Sequence, residues 1–65
     1  MFTAHLVCEG MPRIKLGCFA VKSHHDACDR AKKKYERIFM KFATGQWKVE
    51  TRDEETGTVE RWGTV

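Results

Sequence analysis

The sequence has no long apolar run, and its 65 residues include only one proline, five glycines and three cysteines. A membrane-spanning helix needs about 20 mostly apolar residues, so we expect no membrane span and no membrane partner. The N-terminal stretch also lacks the basic region, apolar run and small-residue cleavage site of a secretion signal. We therefore expect a complete, short cytoplasmic protein.

The cysteines predict neither a disulfide framework nor a metal centre. Cys8, Cys18 and Cys28 are an odd number of thiols, which favours free cysteines in a reducing compartment. Structural zinc sites typically use closely spaced pairs such as Cys-x-x-Cys, and the sequence contains no such pair. The candidate zinc ligands are instead scattered: His5, Cys8, Cys18, His24, His25 and Cys28. We expect no metal.

Motifs of the common enzyme classes are also missing. The sequence contains no glycine-rich phosphate loop, no nucleophilic serine elbow and no dinucleotide fingerprint. Nucleophilic catalysis has one candidate arrangement, Cys28 beside His24 or His25. Because Cys28 also begins an apolar stripe, we interpret it as a packed thiol. We expect no enzymatic activity, no catalytic residue and no cofactor.

The sequence does contain enough apolar material for one small core. Hydrophobic residues make up 42 %, including four Phe, two Trp and one Tyr, and the formal net charge is +3. A chain of this length buries only about 60 % of its unfolded surface, so we expect a stability of about a few kcal/mol. The prediction is a single domain, residues 1–65, with a mildly basic surface.

Two N-terminal segments alternate between apolar and polar residues, which predicts a β-hairpin. They are FTAHLVCE, residues 2–9, and IKLGCFAVK, residues 14–22, with a glycine and a proline in the turn. Placing Glu9 opposite Arg13 sets apolar residues against one another on one face. The predicted pairs are Cys8 with Ile14, Leu6 with Leu16, and Ala4 with Cys18.

A single amphipathic helix is predicted to follow. Ser23 and Asp26 form an N-terminal capping pair, and Gly45 stands where a helix C-cap is expected. Apolar residues recur at steps of three and four, which places one buried stripe along the helix: Cys28, Ala31, Tyr35, Ile38, Phe39 and Phe42. The opposite side of the helix is basic, with Arg30, Lys33, Lys34, Arg37 and Lys41.

A second hairpin is predicted at the C-terminal end. QWKVETR, residues 46–52, and TVERW, residues 58–62, flank a turn whose glycine suits a left-handed position. Pairing Val49 with Trp62 sets Glu50 opposite Arg61, a favourable cross-strand pair. A slip of one residue would oppose two glutamates, which favours the first register.

These segments together predict an α+β fold, a two-layer sandwich of order β-β-α-β-β with one helix packed on a mainly antiparallel four-stranded sheet. One helix covers only one sheet face, and we expect it to cover Phe2, Leu6, Ile14 and Leu16, joined by Trp47, Val49 and Trp62. The other face is predicted to expose an apolar cluster of Val7, Phe19 and Val21, beside His5, Lys15, Lys48 and Arg52.

Two surfaces are therefore candidates for binding. The basic side of the helix suits a polyanion or an acidic protein, or it is only the solvated side of the helix. The apolar cluster on the other sheet face suits a protein partner or a second copy in a homodimer, unless long side chains lie across it. The sequence does not decide between these surfaces.

The segment FAVKSHHDACDRAKKKYERI followed by WKVETR has a layout of strand, serine cap, helix and aromatic-led strand. The residues that carry this layout are Ser23, Ala27, Ala31, Tyr35, Trp47 and Val49. Over about residues 19–52 it resembles small phage-encoded proteins that bind and redirect host enzymes, including inhibitors of bacterial RNA polymerase. The lysine-rich helix and the fourth strand depart from those inhibitors, so no binding residue is transferred. The resemblance implies a phage- or prophage-type modulator.

We therefore predict a small non-enzymatic protein-binding module that modulates or inhibits a larger host protein by occupying one of its surfaces. The alternative is a nucleic-acid-binding accessory protein that uses the basic side of the helix. The predicted partner-binding residues are Arg30, Lys33, Lys34, Arg37, Lys41, Val7, Phe19 and Val21.

Overall fold

Two β-hairpins joined by a helical connection make up the fold. The computed structural model describes residues 1–42 and 45–64. In chain order its elements are β1 (Phe2–Val7), β2 (Ile14–Phe19), α1 (His24–Lys34), α2 (Glu36–Phe42), β3 (Lys48–Asp53) and β4 (Val59–Gly63). The strand order is β2-β1-β3-β4, and every pair of neighbours is antiparallel. This confirms the α+β class and the antiparallel four-stranded sheet.

Neither described helix has the length and apolar character that crossing a bilayer requires.

The register predicted for the first hairpin is wrong: beside the turn it is off by two residues, and a bulge in β2 reduces this offset to one residue farther along the strand. Leu6 pairs with Ile14 and Ala4 pairs with Gly17, and the register shifts between Ala4 and His5. Leu16 is the extra residue of β2 at this point. The next residue, Gly17, has a φ of 138°, a conformation that side chains other than glycine's rarely adopt.

The bulge also overturns the predicted exposure of Phe19 and Val21. An extra residue reverses the inward and outward alternation of the strand beyond it. Phe19 therefore lies on the same sheet face as Leu16, is only 7 % exposed, and belongs to the hydrophobic core. Val21 is partly buried and packs against that core. The apolar cluster predicted for the uncovered face is thus largely part of the interior.

The single predicted helix is also corrected, because the chain forms two helices that meet at Tyr35. The φ and ψ of Tyr35 are −116° and 39°, well away from helical values, so the regular helix is interrupted there. Backbone hydrogen bonds continue on both sides, from the Tyr35 N–H to the Ala31 carbonyl and from the Phe39 N–H to the Tyr35 carbonyl, both 3.0 Å. The predicted apolar stripe therefore survives the break. Cys28, Ala31 and Phe39 are buried, and Tyr35, Ile38 and Phe42 pack against the core.

The N-cap of α1 and the register of the second hairpin agree with the predictions from the sequence. The Ser23 hydroxyl accepts a hydrogen bond of 3.1 Å from the Asp26 N–H, which confirms the predicted N-cap. Strands β3 and β4 pair Val49 with Trp62 and Glu50 with Arg61, as predicted. The turn between them places its glycine at a φ of 77°. The predicted C-cap at Gly45 depends on residues 43–44, which lie outside the described residues.

Helix α1 packs against all four strands on one face of the sheet, and α2, which packs against α1, adds Phe39 to the same core. Alternate residues of the central strands, including Leu6 and Val49, are fully buried beneath them. The predicted contributions of Trp47 and Trp62 are confirmed, because both pack against the buried cluster. The other side of the sheet, which we call the open face, is covered by neither helix.

Candidate binding surfaces

The open face is basic rather than apolar. Strand alternation and register place five exposed Lys and Arg side chains on or beside it: Arg13, Lys15, Lys48, Arg52 and Arg61. The acidic side chain at its centre is Glu50, which is only 6 % exposed. These five cations outnumber the carboxylates on or beside the face, which are the buried Glu50 and the exposed Glu9 and Glu54. The face therefore has a positive potential, which attracts acidic groups.

Glu50 links the two hairpins across the open face. Strand β3 places it between His5 on β1 and Arg61 on β4. Its Oε1 accepts a hydrogen bond from Nη2 of Arg13, and its Oε2 accepts one of 3.2 Å from Nε of Arg61. The side chain of Glu50 is 8 % exposed, whereas those of Arg13 and Arg61 are 54 % and 65 % exposed. One buried carboxylate therefore orients two guanidinium groups that remain accessible to solvent.

The two arginines also control the ionisation of this face. Burial opposes ionisation of the Glu50 carboxyl, but the hydrogen bonds and charges of Arg13 and Arg61 outweigh it and lower the pKa below its ordinary 4.5. Burial and then the charge of Arg13 lower the pKa of His5 below 6.5. At neutral pH the face therefore contains an ionised Glu50 and a neutral His5.

These shifts predict acid destabilisation in two stages. Because the pKa of His5 is lower in the folded chain, its stabilising contribution is complete above pH 6.5 and declines as pH falls below that value. The contribution of Glu50 is complete above pH 4.5 and is lost as pH falls through its folded pKa. We expect Glu50→Gln to lower the free energy of unfolding most at neutral pH and less at pH 3. Urea titrations across this pH range measure the difference.

A matched control for this prediction is Glu55→Gln, which removes a carboxylate from an exposed turn residue. That variant is expected to change stability little at any pH. A constant difference between wild type and Glu50→Gln from neutral pH to pH 3 would contradict the assigned role of the Glu50 carboxylate.

A shallow cleft lies at one end of the open face. It has a volume of about 440 Å³ and is lined by Val7, Cys8, Glu9, Arg13, Gln46, Lys48 and Arg61. Val7 was predicted to be an exposed apolar contact, but it is buried, paired with Lys48 on β3. Lys48, one of the long side chains predicted to lie across the apolar residues of this face, is its cross-strand neighbour. The cleft is therefore lined by three cations, Arg13, Lys48 and Arg61, next to the apolar side chain of Val7.

The five predicted helix cations are all exposed, but the break at Tyr35 distributes them over two helices: Arg30, Lys33 and Lys34 on α1, and Arg37 and Lys41 on α2. Some already have partners within the chain. Nζ of Lys33 lies 3.1 Å from a carboxylate oxygen of Asp29. Nζ of Lys34 lies 5.9 Å from the centre of the Phe19 ring and 5.5 Å from that of Tyr35. The ion pair with Asp29 offsets part of the positive charge of α1, whereas the contacts of Lys34 with the two rings leave its charge unchanged.

The histidine and cysteine residues considered for catalysis or metal binding have structural surroundings. Burial raises the pKa of the Cys28 thiol, which lies in the core. Nδ1 of His24 lies 2.8 Å from the hydroxyl of Thr51, and Nε2 lies 3.0 Å from that of Thr58. These contacts join the start of α1 to the second hairpin. Within residues 1–42 and 45–64, no three His, Cys, Asp or Glu side chains are grouped to hold a metal.

Sequence reasoning missed the arrangement of Arg13, Glu50 and Arg61. The second hairpin predicts the pair of Glu50 with Arg61, but the pattern of that hairpin indicates only its register. Arg13 is distant in sequence, and it meets Glu50 because β1 lies between β2 and β3. The available signal was the basic composition of the polar positions on the predicted strands.

Comparison with protein-family models, with curated proteins and with solved structures finds no match to this chain. The resemblance to phage-encoded modulators therefore remains a prediction from residue layout. The function has to be inferred from the charge, exposure and geometry of the two basic surfaces.

Proposed function

We propose that the chain is a non-enzymatic module that binds an acidic surface of a larger protein and thereby modulates or inhibits it, in the manner of the phage-type proteins that its layout resembles. The observation that carries this proposal is the open face, where exposed cations surround the buried carboxylate of Glu50. A cytoplasmic setting is supported by the free thiols of Cys8, Cys18 and Cys28.

The composition of the open face favours a protein partner. Protein interfaces are enriched in Arg and Met and depleted in Lys. Three of the five open-face cations are arginines, whereas most of the cations on α1 are lysines. Two exposed apolar side chains lie at the margins of the face, Val59 opposite Arg52 and Met11 in the first turn, 46 % and 56 % exposed. Cationic and apolar contacts together are typical of protein recognition.

The titratable groups support binding rather than catalysis. A general acid or base must have an oxygen or nitrogen free to reach a reacting atom. Both carboxylate oxygens of Glu50 are engaged by arginines, and both ring nitrogens of His24 lie within hydrogen-bond distance of hydroxyls. Each of these groups therefore has a structural role that accounts for its position.

Affinity capture with paired baits tests the proposal. The immobilised wild-type chain is expected to retain a protein partner from bacterial lysate at low salt, and to release it as salt rises. The variant Lys48→Glu plus Arg52→Glu is expected to retain much less of the same partner, because it reverses two charges of the open face. Nuclease treatment of the lysate removes capture through nucleic acid. Failure to recover any protein that distinguishes the two baits would contradict the proposal.

A second candidate function is nucleic-acid binding through the helices. It is favoured by the exposure of all five helix cations, which can contact phosphates. Mobility-shift assays in about 50 mM salt provide the strongest conditions for such contacts. This candidate requires binding that is lost in Lys33→Glu plus Arg37→Glu. Unshifted duplex and single strands at that salt would remove it.

The predicted homodimer loses its main physical basis. It depended on apolar surface from Val7, Phe19 and Val21, but Val7 and Phe19 are buried and Val21 packs against the core. Two open faces brought together would also oppose cations to cations. We therefore propose that the open face meets a partner of opposite charge rather than a second copy.

A further inference from the structure

We propose that the cleft at the end of the open face is a carboxylate-binding site, in which Arg13, Arg61 and Lys48 bind acidic side chains of a partner segment. This inference rests on the proposed function and adds the location of the contact and the chemistry of the group bound. None of these three residues was predicted from the sequence to contact a partner.

The buried carboxylate of Glu50 prepares the two arginines for this role. A guanidinium has five N–H donors in a fixed plane. Glu50 engages Nη2 of Arg13 and Nε of Arg61, which leaves the other donors of each guanidinium able to reach a second carboxylate. Side chains held in place before binding lose less conformational entropy when the partner arrives. Glu50 therefore holds the guanidinium groups of Arg13 and Arg61 in position to bind a second carboxylate.

The charge around the cleft favours an anion. Arg13, Lys48 and Arg61 line it together with the carboxylate of Glu9, and Glu50 lies beside it, hydrogen-bonded to both arginines. Lys48 is exposed, and none of the ion pairs found among residues 1–42 and 45–64 includes it. The buried Val7 contributes apolar surface between the cations. A glutamate side chain matches this arrangement, because it combines a carboxylate with methylene groups.

Discrete carboxylates fit the face better than a nucleic-acid backbone. The central Glu50 repels a continuous row of phosphates, whereas separate acidic side chains can contact the outer donors of Arg13 and Arg61 and avoid it. Base stacking on single strands requires exposed aromatic rings. The large apolar side chains that are exposed among the described residues are three methionines and Val59, and none is aromatic. We therefore assign the cleft to an acidic segment of a protein.

The experiment uses a short peptide in which glutamates are separated by uncharged residues as the probe, with a short DNA duplex as the comparison. Titration of the isotopically labelled chain, followed by amide chemical shifts, reports both location and affinity. We expect the peptide to shift amides around Val7, Arg13, Lys48 and Arg61. Lys48→Glu plus Arg61→Glu is expected to weaken peptide binding by about tenfold or more, as loss of charged interface contacts commonly does.

The matched control is Lys33→Glu plus Arg37→Glu, which changes the net charge by the same amount on the helices. It is expected to weaken peptide binding only by the smaller factor that general charge repulsion produces. Arg61→Lys keeps the charge and removes the planar donor group, and it is expected to weaken binding several-fold. Amide spectra of each variant without peptide establish that it is folded.

The outcomes separate the two proposals. The cleft assignment is wrong if Lys33→Glu plus Arg37→Glu weakens peptide binding as much as Lys48→Glu plus Arg61→Glu does. It is also wrong if Arg61→Lys binds the peptide like wild type. In both cases an acidic protein partner remains supported. If the duplex binds more tightly than the peptide and shifts the same amides, the assignment to carboxylates is wrong. If the peptide shifts no amides and affinity capture also finds no charge-dependent partner, both proposals fall.

Discussion

Phe19→Asp is expected to abolish the folded state. Phe19 is 7 % exposed and belongs to the core on the helix-covered face of the sheet. Removing a buried Phe side chain costs about 3–5 kcal/mol, and leaving an unpaired charge in its place adds to that cost. A domain of this size has only about a few kcal/mol of stability to lose. Far-UV circular dichroism and thermal melting measure the effect.

The adjacent residue supplies a matched control. Cys18 is exposed and pairs with Thr3 on the open face, so Cys18→Asp is expected to remain folded with a cooperative melting transition. Without the bulge at Leu16 and Gly17, strand alternation would exchange the environments of these two neighbours. A folded Phe19→Asp together with an unfolded Cys18→Asp would therefore show that the bulge is absent and that the simple alternating register is correct.

Leu16→Ala and Phe39→Ala are each expected to lower the free energy of unfolding by about 2–5 kcal/mol, enough to unfold much of the protein at room temperature. Both side chains are buried in the same core cluster, Leu16 from the bulge of β2 and Phe39 from α2. The cost combines lost burial of apolar surface with the cavity that remains. Urea titration monitored by Trp fluorescence measures it.

Lys33→Ala is the comparison on the solvent side of the helices. Both side chains of its ion pair with Asp29 are exposed to solvent. Such pairs within one helix contribute about 0.3–0.5 kcal/mol to the free energy of unfolding. We therefore expect a change in stability of less than about 0.5 kcal/mol, as is usual for surface substitutions. If Lys33→Ala were more destabilising than either core variant, the inward and outward faces assigned to the helices would be reversed.

Local patterns in the sequence predicted the strands, the helical stripe and the N-cap. These features depend on interactions between residues a few positions apart, which are visible as periods of two or of three to four. The register of β3 and β4 was predictable for the same reason, because a short turn and the pair of Glu50 with Arg61 select it. The break at Tyr35 was not predictable from the period, since the hydrogen bonds around it preserve the spacing of the apolar stripe.

The bulge in β2 marks the limit of this local reasoning. The segment IKLGCFAVK alternates in composition, and its apolar residues occupy both faces, so its sequence is compatible with either placement of Phe19. Packing decides the matter, because the extra residue at Leu16 brings Leu16 and Phe19 to the same face under the helices. Gly17 permits the conformation, with its φ of 138°, but a glycine in a strand does not by itself require a bulge.

The sequence by itself determined the class of the fold, the second hairpin and the basic character of the surface. Only the tertiary structure decided which cations act together. Arg13 and Glu50 are far apart along the chain, and they meet because β1 separates β2 from β3 while leaving their side chains on one face. Strand order is set by how the two hairpins pack beneath the helices, and no short-range pattern encodes it. The proposed carboxylate site is therefore a product of that packing.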